Sequence, residues 1–189
     1  MIAYPLFDTT SDICIRVWRG KSSMRYGKMF MLALLAPALA ACATSGGMTV
    51  GSGAIANPSP KYRKAIAVRS VSGGQVMNIL TVPGVANEPF KAALEATLSA
   101  NGYLATSGTP KFYLDAEIRN LDQPLMGLDL TVIADVTYNI SGVGPAASYP
   151  VKAQATATFS DSPIAVDRIR IANERAMREN IGQFLQALR

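Results

Sequence analysis

Carboxylates and two thiols are the side chains in this chain that could do chemistry. Asp115 and Glu117 alternate along one stretch, and Asp129 and Asp135 along the next. Carboxylates so placed share one face of a strand and could serve acid–base work or hold a hard cation. The same spacing, with Arg119 and Lys152 as cross-strand partners, describes a solvated sheet face. The second reading fits better, because no sheltered pocket is implied that would shift a carboxyl group. The 189 residues contain no histidine, which removes Ser-His-Asp and Cys-His catalysis, imidazole ligands and the usual base near neutral pH. Gly73-Gly74, and Gly142 with Gly144, match neither phosphate-cradling pattern and read as turns. No catalytic residue, metal set or cofactor is therefore expected.

The thiols are Cys14 and Cys42, and the second closes a distinctive stretch. Arg25 and Lys28 open it, thirteen uncharged residues follow at 29–41 (MFMLALLAPALAA), and small residues precede the cysteine. A basic start, an apolar run of roughly 7–15 residues and a small-residue cut site define a secretory signal peptide. A membrane span would need about 20 apolar residues, and Pro37 lies inside this run. A buried core helix is the other alternative, but nothing amphipathic surrounds the run. Residues 1–23 have no signal-peptide character, so the expectation is a mis-assigned extension with Met24 as the true start.

Leu39, Ala40, Ala41 and Cys42 resemble the lipobox of bacterial lipoproteins. The resemblance implies cleavage between Ala41 and Cys42, a diacylglyceryl group on the Cys42 sulfur and acylation of the new amine. The membrane is then a partner through those chains. Ala43 in place of Asp resembles lipoproteins sorted to the outer membrane, which makes its periplasmic face the expected location, with the inner membrane as the alternative.

The charge balance shifts once the leader is set aside. The chain carries 18 Lys and Arg against 13 Asp and Glu, but 13 basic and 11 acidic residues follow position 41. That balance is no nucleic-acid footprint, which calls for a basic face with stacking aromatics. With one cysteine left, no internal disulfide is available, and about 130 residues bury an adequate core unaided.

Residues 43–60 are small, uncharged and Gly/Ser-rich, which predicts a flexible tether after Cys42; a loop packed on the domain is the alternative. From 61 to 189 the pattern predicts one periplasmic α+β domain in the order β-α-β-β-β-α. A strand is predicted at 64–71, then a flap at 72–88 with an extra strand at 79–82 as its alternative. A helix follows, with Asn87 as N-cap, a stripe of Phe90, Ala93, Leu94, Thr97 and Leu98, and Gly102 as its stop.

Period-two alternation then marks three strands: Phe112 to Arg119, Leu128 to Ile140, and Tyr149 to Phe159. One covered face and one wet face are the antiparallel habit, so a mainly antiparallel four-stranded sheet with both helices on one face is expected. In the closing helix, 166–188, Ile169, Ala172, Ala176, Ile181, Phe184, Leu185 and Leu188 form the stripe. Asn173 and Asn180 border it and need partners, while Glu174 with Arg178 and Arg175 with Glu179 make exposed i, i+4 pairs.

The order of lipobox, small-residue stretch and β-α-β-β-β-α resembles small periplasmic lipoproteins of the YajG and LptE type. The segments around 121–129 and 172–181 are similar to a group of alphaproteobacterial lipoproteins. The resemblance implies a non-catalytic accessory or scaffold partner of an envelope assembly or transport machine. Docking is expected through a sheet edge or through the loops carrying Met77, Leu80, Val82, Gln123, Pro124, Leu125 and Met126. The alternative is a lipid- or small-molecule-binding module, with a slot between the layers held open by Phe90, Tyr138, Phe159 and Phe184.

Overall fold

A computed structural model describes residues 42–55, 57–76, 82–124 and 126–189. The leader and residues 1–23, with Cys14 and Ala41, lie outside the described residues, as do Met77, Leu80 and Leu125.

The elements are a single helical turn α1 (Ser45–Met48), strand β1 (Ile66–Ser72), helix α2 (Asn87–Ala100), strands β2 (Phe112–Asp122), β3 (Leu130–Gly142) and β4 (Ala147–Ala157), and helix α3 (Ala165–Ala187). The sheet order is β1-β2-β3-β4, with β1 parallel to β2 and the other pairs antiparallel. This is the expected α+β arrangement. A parallel pair needs a long crossover, and α2 supplies it. Helix α2 packs on β1, and α3 on β3 and β4, so the helices share one face.

The alternation places Phe112, Leu114, Ala116 and Ile118 of β2 in the core with Leu130, Val132, Ala134, Val136, Tyr138 and Ile140 of β3. The whole α2 stripe is buried, and Gly102 turns the chain at a φ of 74°. Three local expectations are corrected. Asn87 does not cap α2: the helix starts after Ala86, and the Asn87 side chain accepts instead from the Gly74 N–H at 2.8 Å. Leu128 and Phe159 fall beyond the ends of β3 and β4 and are exposed. Alternation continues in sequence past the last ladder bond, so counting alone cannot see where a strand stops.

The layers close on one another. The Tyr138 ring stacks on Phe184 at 4.0 Å, and Ala134, Ala157, Ala172, Ala176 and Met177 are fully buried between them. With Phe159 outside, the spacers expected to hold a slot apart are spent in the core, and small residues do what they usually do in interiors. Asn180, also fully buried, accepts from the Tyr138 hydroxyl at 2.8 Å and donates to the carbonyls of Ala134 and Val151 at 3.0 and 2.9 Å.

Burial pushes the Tyr138 phenol well above its ordinary range. Tyr149 is pushed up to about 12 by its hydrogen bond with Tyr62 and by burial. In the unfolded chain a tyrosine ionises near pH 10. Both groups thus contribute stability that is complete below about pH 10 and lost as pH rises through the folded values. Denaturant titrations between pH 9 and 12 should show stability falling steeply, and Tyr138→Phe should flatten that fall. Parallel declines would contradict the assignment.

Residues 43–55 are not a loose tether. The Glu174 carboxylate accepts from the Thr44 N–H and hydroxyl at 2.8 and 2.9 Å, and Arg178 donates to the Gly47 carbonyl. Further on, the Val50 N–H donates to the Thr97 hydroxyl at 2.9 Å and Asn101 to the Gly51 carbonyl at 3.3 Å. The Ser59 N–H reaches the Tyr103 hydroxyl at 3.2 Å. Ala43, Met48 and Ile55 are buried. Burying Met48 alone stabilises by about 1.5–3 kcal/mol.

The small residues that read as flexible are what lets this strap lie close. A Cβ on Gly47 would fall 2.2 Å from the Glu174 carboxylate carbon. The expected Glu174–Arg178 pair is replaced accordingly, because Glu174 is buried and pairs with Arg170 at 3.1 Å. Arg175 likewise pairs with Asp161 at 2.6 Å rather than with Glu179. Glu174→Ala should release the strap, at a local cost of about 1–3 kcal/mol for the stranded donors. Thermolysin should then cut within 43–55 several-fold faster than in the parent, and an unchanged rate would contradict the clamp.

Candidate functional site

The chemistry-bearing residues sit in three places. On the wet face of the sheet, Asp115 pairs with Arg69 and accepts from Ser70, and that hydrogen bond to Arg69 holds its carboxyl below the ordinary range. Glu117 pairs with Arg119 at 3.3 Å, and Asp135 lies opposite Lys152 in the β3–β4 register. In the β2–β3 register Asp115 faces Asn139 and Glu117 faces Thr137, so no two carboxylates are brought together across strands. Among the described residues no group of three His, Cys, Asp or Glu could hold a metal ion.

The second place is the edge of β4. A shallow groove of about 560 Å³ runs between β4 and α3, lined by Lys152, Ala153, Gln154 and Ala155 on one side and Arg175, Arg178, Glu179 and Gln183 on the other. The opposite edge, β1, is covered at its start. There the N–H groups of Ala65 and Ile66 donate to the Tyr103 carbonyl, and the Ala105 N–H donates to the Ile66 carbonyl. Among the described residues β4, the other edge strand, carries no such bridge. Pro150 blunts its first part, and Arg175 occupies the Thr156 carbonyl at 3.0 Å, which leaves 151–155 for pairing.

The third place gathers the loops expected to bind a partner. Gln123 donates to the Pro83 carbonyl at 2.7 Å and to Asn173 at 2.9 Å, and Asn173 donates to the same carbonyl at 2.9 Å. One buried asparagine of α3 thereby joins Pro83 and Gln123. Val82, Gln123 and Pro124 are half-buried, and Met126 stands out into solvent. A second cavity of about 430 Å³ opens beside them, between Gly73, Gly74 and Gly84 on one side and residues 118–123 on the other.

Sequence reasoning missed the neighbour of these loops. Arg168, buried in the first turn of α3, donates to the Ser162 carbonyl at 2.8 Å and the Gly127 carbonyl at 3.4 Å, with Phe159 under its guanidinium at 5.5 Å. Its signal was weak: a single Arg one residue before the apolar stripe. Cys42 is half-buried where the strap begins, immediately before buried Ala43. The compact unit that contains it runs from Ala41 to Arg189. Among the described residues no helix is long and apolar enough to cross a membrane.

No protein-family model and no curated protein sequence matches the chain. Solved structures do match in fold. Protein XCC0632 from Xanthomonas campestris, of family DUF330, aligns with a TM-score of 0.53 at 10% identity, over 72% of this chain and 89% of that one. An uncharacterized protein gives 0.50 at 9% identity, over 67% and 94%. A Caulobacter crescentus protein described as a candidate lipoprotein gives 0.44 at 12% identity, over 66% and 88%. The first two define a shared α+β fold, and at such identities nothing about activity follows.

Proposed function

We propose that this chain is a lipid-anchored accessory protein of the bacterial envelope, without catalysis of its own. It is cut between Ala41 and Cys42 and held by acyl chains on Cys42 at the periplasmic face of the outer membrane. The observation that carries this reading is how firmly the residues just after the cysteine are held: Ala43 is 3% exposed and Thr44 is bound to Glu174, so a chain cut at the lipobox would keep these contacts. A non-catalytic role is supported by how the charged groups are used. Asp115, Asp161 and Glu174 are each committed to arginines or to the strap. Kinship with YajG- or LptE-like lipoproteins belongs to this proposal.

The partner surface we assign is the open edge of β4. An extended segment of an envelope assembly or transport protein would add a strand along 151–155, as edge recognition commonly works. Lys152 and Arg178 beside that edge favour a segment with acidic side chains. A photo-crosslinking residue in place of Gln154, exposed on this edge, should trap one envelope protein in living cells. Failure there, with the fold and membrane attachment intact, would overturn the docking role.

A further inference from the structure

Five of the large apolar side chains exposed in the described structure lie at one end of the domain. Met126 and Leu128 flank Gly127, Phe159 lies under the Arg168 guanidinium, and Ile164 and Val166 bracket the start of α3. They are 45–89% exposed, and Arg168 ties their three segments together through Gly127, Ser162 and Phe159. A cluster of this kind on a folded surface marks a membrane or partner contact.

The strap indicates which. The Gly47 carbonyl is bonded to Arg178, and Thr44 is bonded to Glu174, so the chain traced backward climbs α3 toward its N-terminal end. Ile164 precedes Glu174 by ten residues, roughly 15 Å along a helix axis. Thr44 to Cys42 covers at most roughly 7 Å in that direction. The apolar end thus lies ahead of the cysteine on the same heading. The strap is bonded to the fold from Thr44 onward, which leaves no slack to hold the domain off.

We propose that this end, formed by Met126, Leu128, Phe159, Ile164 and Val166, rests in the interface of the bilayer that takes the Cys42 acyl chains. The inference rests on the acylation of Cys42 proposed above. It makes the patch a second membrane contact beside an anchor whose two or three acyl chains already hold stably. It also fixes orientation: Met126 meets lipid, and the β4 edge is left to the protein partner. Asp129 and Asp167 border the patch, so the surface that suits it is zwitterionic rather than anionic.

The test uses the full acylated protein reconstituted in vesicles of phosphatidylethanolamine and phosphatidylcholine, with a polarity-sensitive fluorophore on Met126→Cys, Ile164→Cys or, as a control, exposed Gln186→Cys. Vesicle flotation is scored first; a protein that does not float overturns the anchor reading and this inference with it. For floating protein, quenching by bilayer-embedded doxyl lipid should be at least about 3-fold stronger at 126 and 164 than at 186. Equal quenching at the three positions overturns the membrane contact while leaving the anchor standing. Probes shielded from water yet not quenched by lipid, with protection growing with protein concentration, would assign the patch to a second copy instead and also overturn it.

Discussion

Replacing Cys42 by Ser should leave the protein as an unprocessed precursor that carries no lipid and no longer partitions with the membrane as the parent does. The oxygen of serine is a far weaker nucleophile than a thiolate, so diacylglyceryl transfer should stop, and cleavage after Ala41 should stop with it. Free energy makes the effect large. Each methylene of an acyl chain contributes about 0.8 kcal/mol to membrane attachment, and stable anchoring takes two such chains or one chain with a second contact. Losing the chains leaves the surface patch and the uncleaved leader, whose thirteen uncharged residues fall short of a membrane span. Fractionation of cells expressing the variant should move the processed, lipid-bearing form from nearly all to none. The domain itself should stay folded, because Ala43 stays buried and Thr44 keeps its bonds to Glu174.

The second large effect lies in the core. Asn180→Leu keeps the volume of a fully buried side chain but strands the Tyr138 hydroxyl and the carbonyls of Ala134 and Val151. Each buried polar group left without a partner costs about 1–3 kcal/mol, so a loss of about 4 kcal/mol is expected. For a domain of this size that lowers the melting temperature by roughly 8–16 °C. Combining it with Tyr138→Phe should cost less than the sum of the two, because the phenol is then no longer there to strand. Strict additivity would show that the two side chains do not share one network.

The contrast between Asn180 and the strap explains how far the sequence could be read. Asn180 interrupts an apolar stripe, so its burial and its need for partners follow from helical spacing alone. The strand faces were legible for the same reason: Phe112 to Ile118 and Leu130 to Ile140 alternate without a break. Their ends were not, because Leu128 and Phe159 continue the alternation after pairing has stopped. Neither were the bulges between Val68 and Ser70 and between Ile118 and Asn120, which shift the register without a Gly or Pro to mark them.

The strap was illegible for a different reason. Its order is encoded in residues far along the chain, namely Glu174, Arg178, Thr97 and Tyr103, whose side chains satisfy its backbone. A local reading of 43–60 sees only small residues, and small residues predict flexibility unless something else holds them. The candidate docking loops show a mixture of the two. Gln123 was singled out from its loop, but its bond to Asn173 and the role of Arg168 beside it depend on how α3 lies against β3 and β4.

Intact mass spectrometry of the membrane-extracted protein tests the central claim most directly. The account predicts a chain beginning at Cys42, heavier than the 148-residue polypeptide by a diacylglyceryl group and, with the amine acylated, by one more acyl chain, and fragment ions that place all of the added mass on residue 42. A chain that still carries residues 24–41, or one that starts at Cys42 with no added mass, would contradict it.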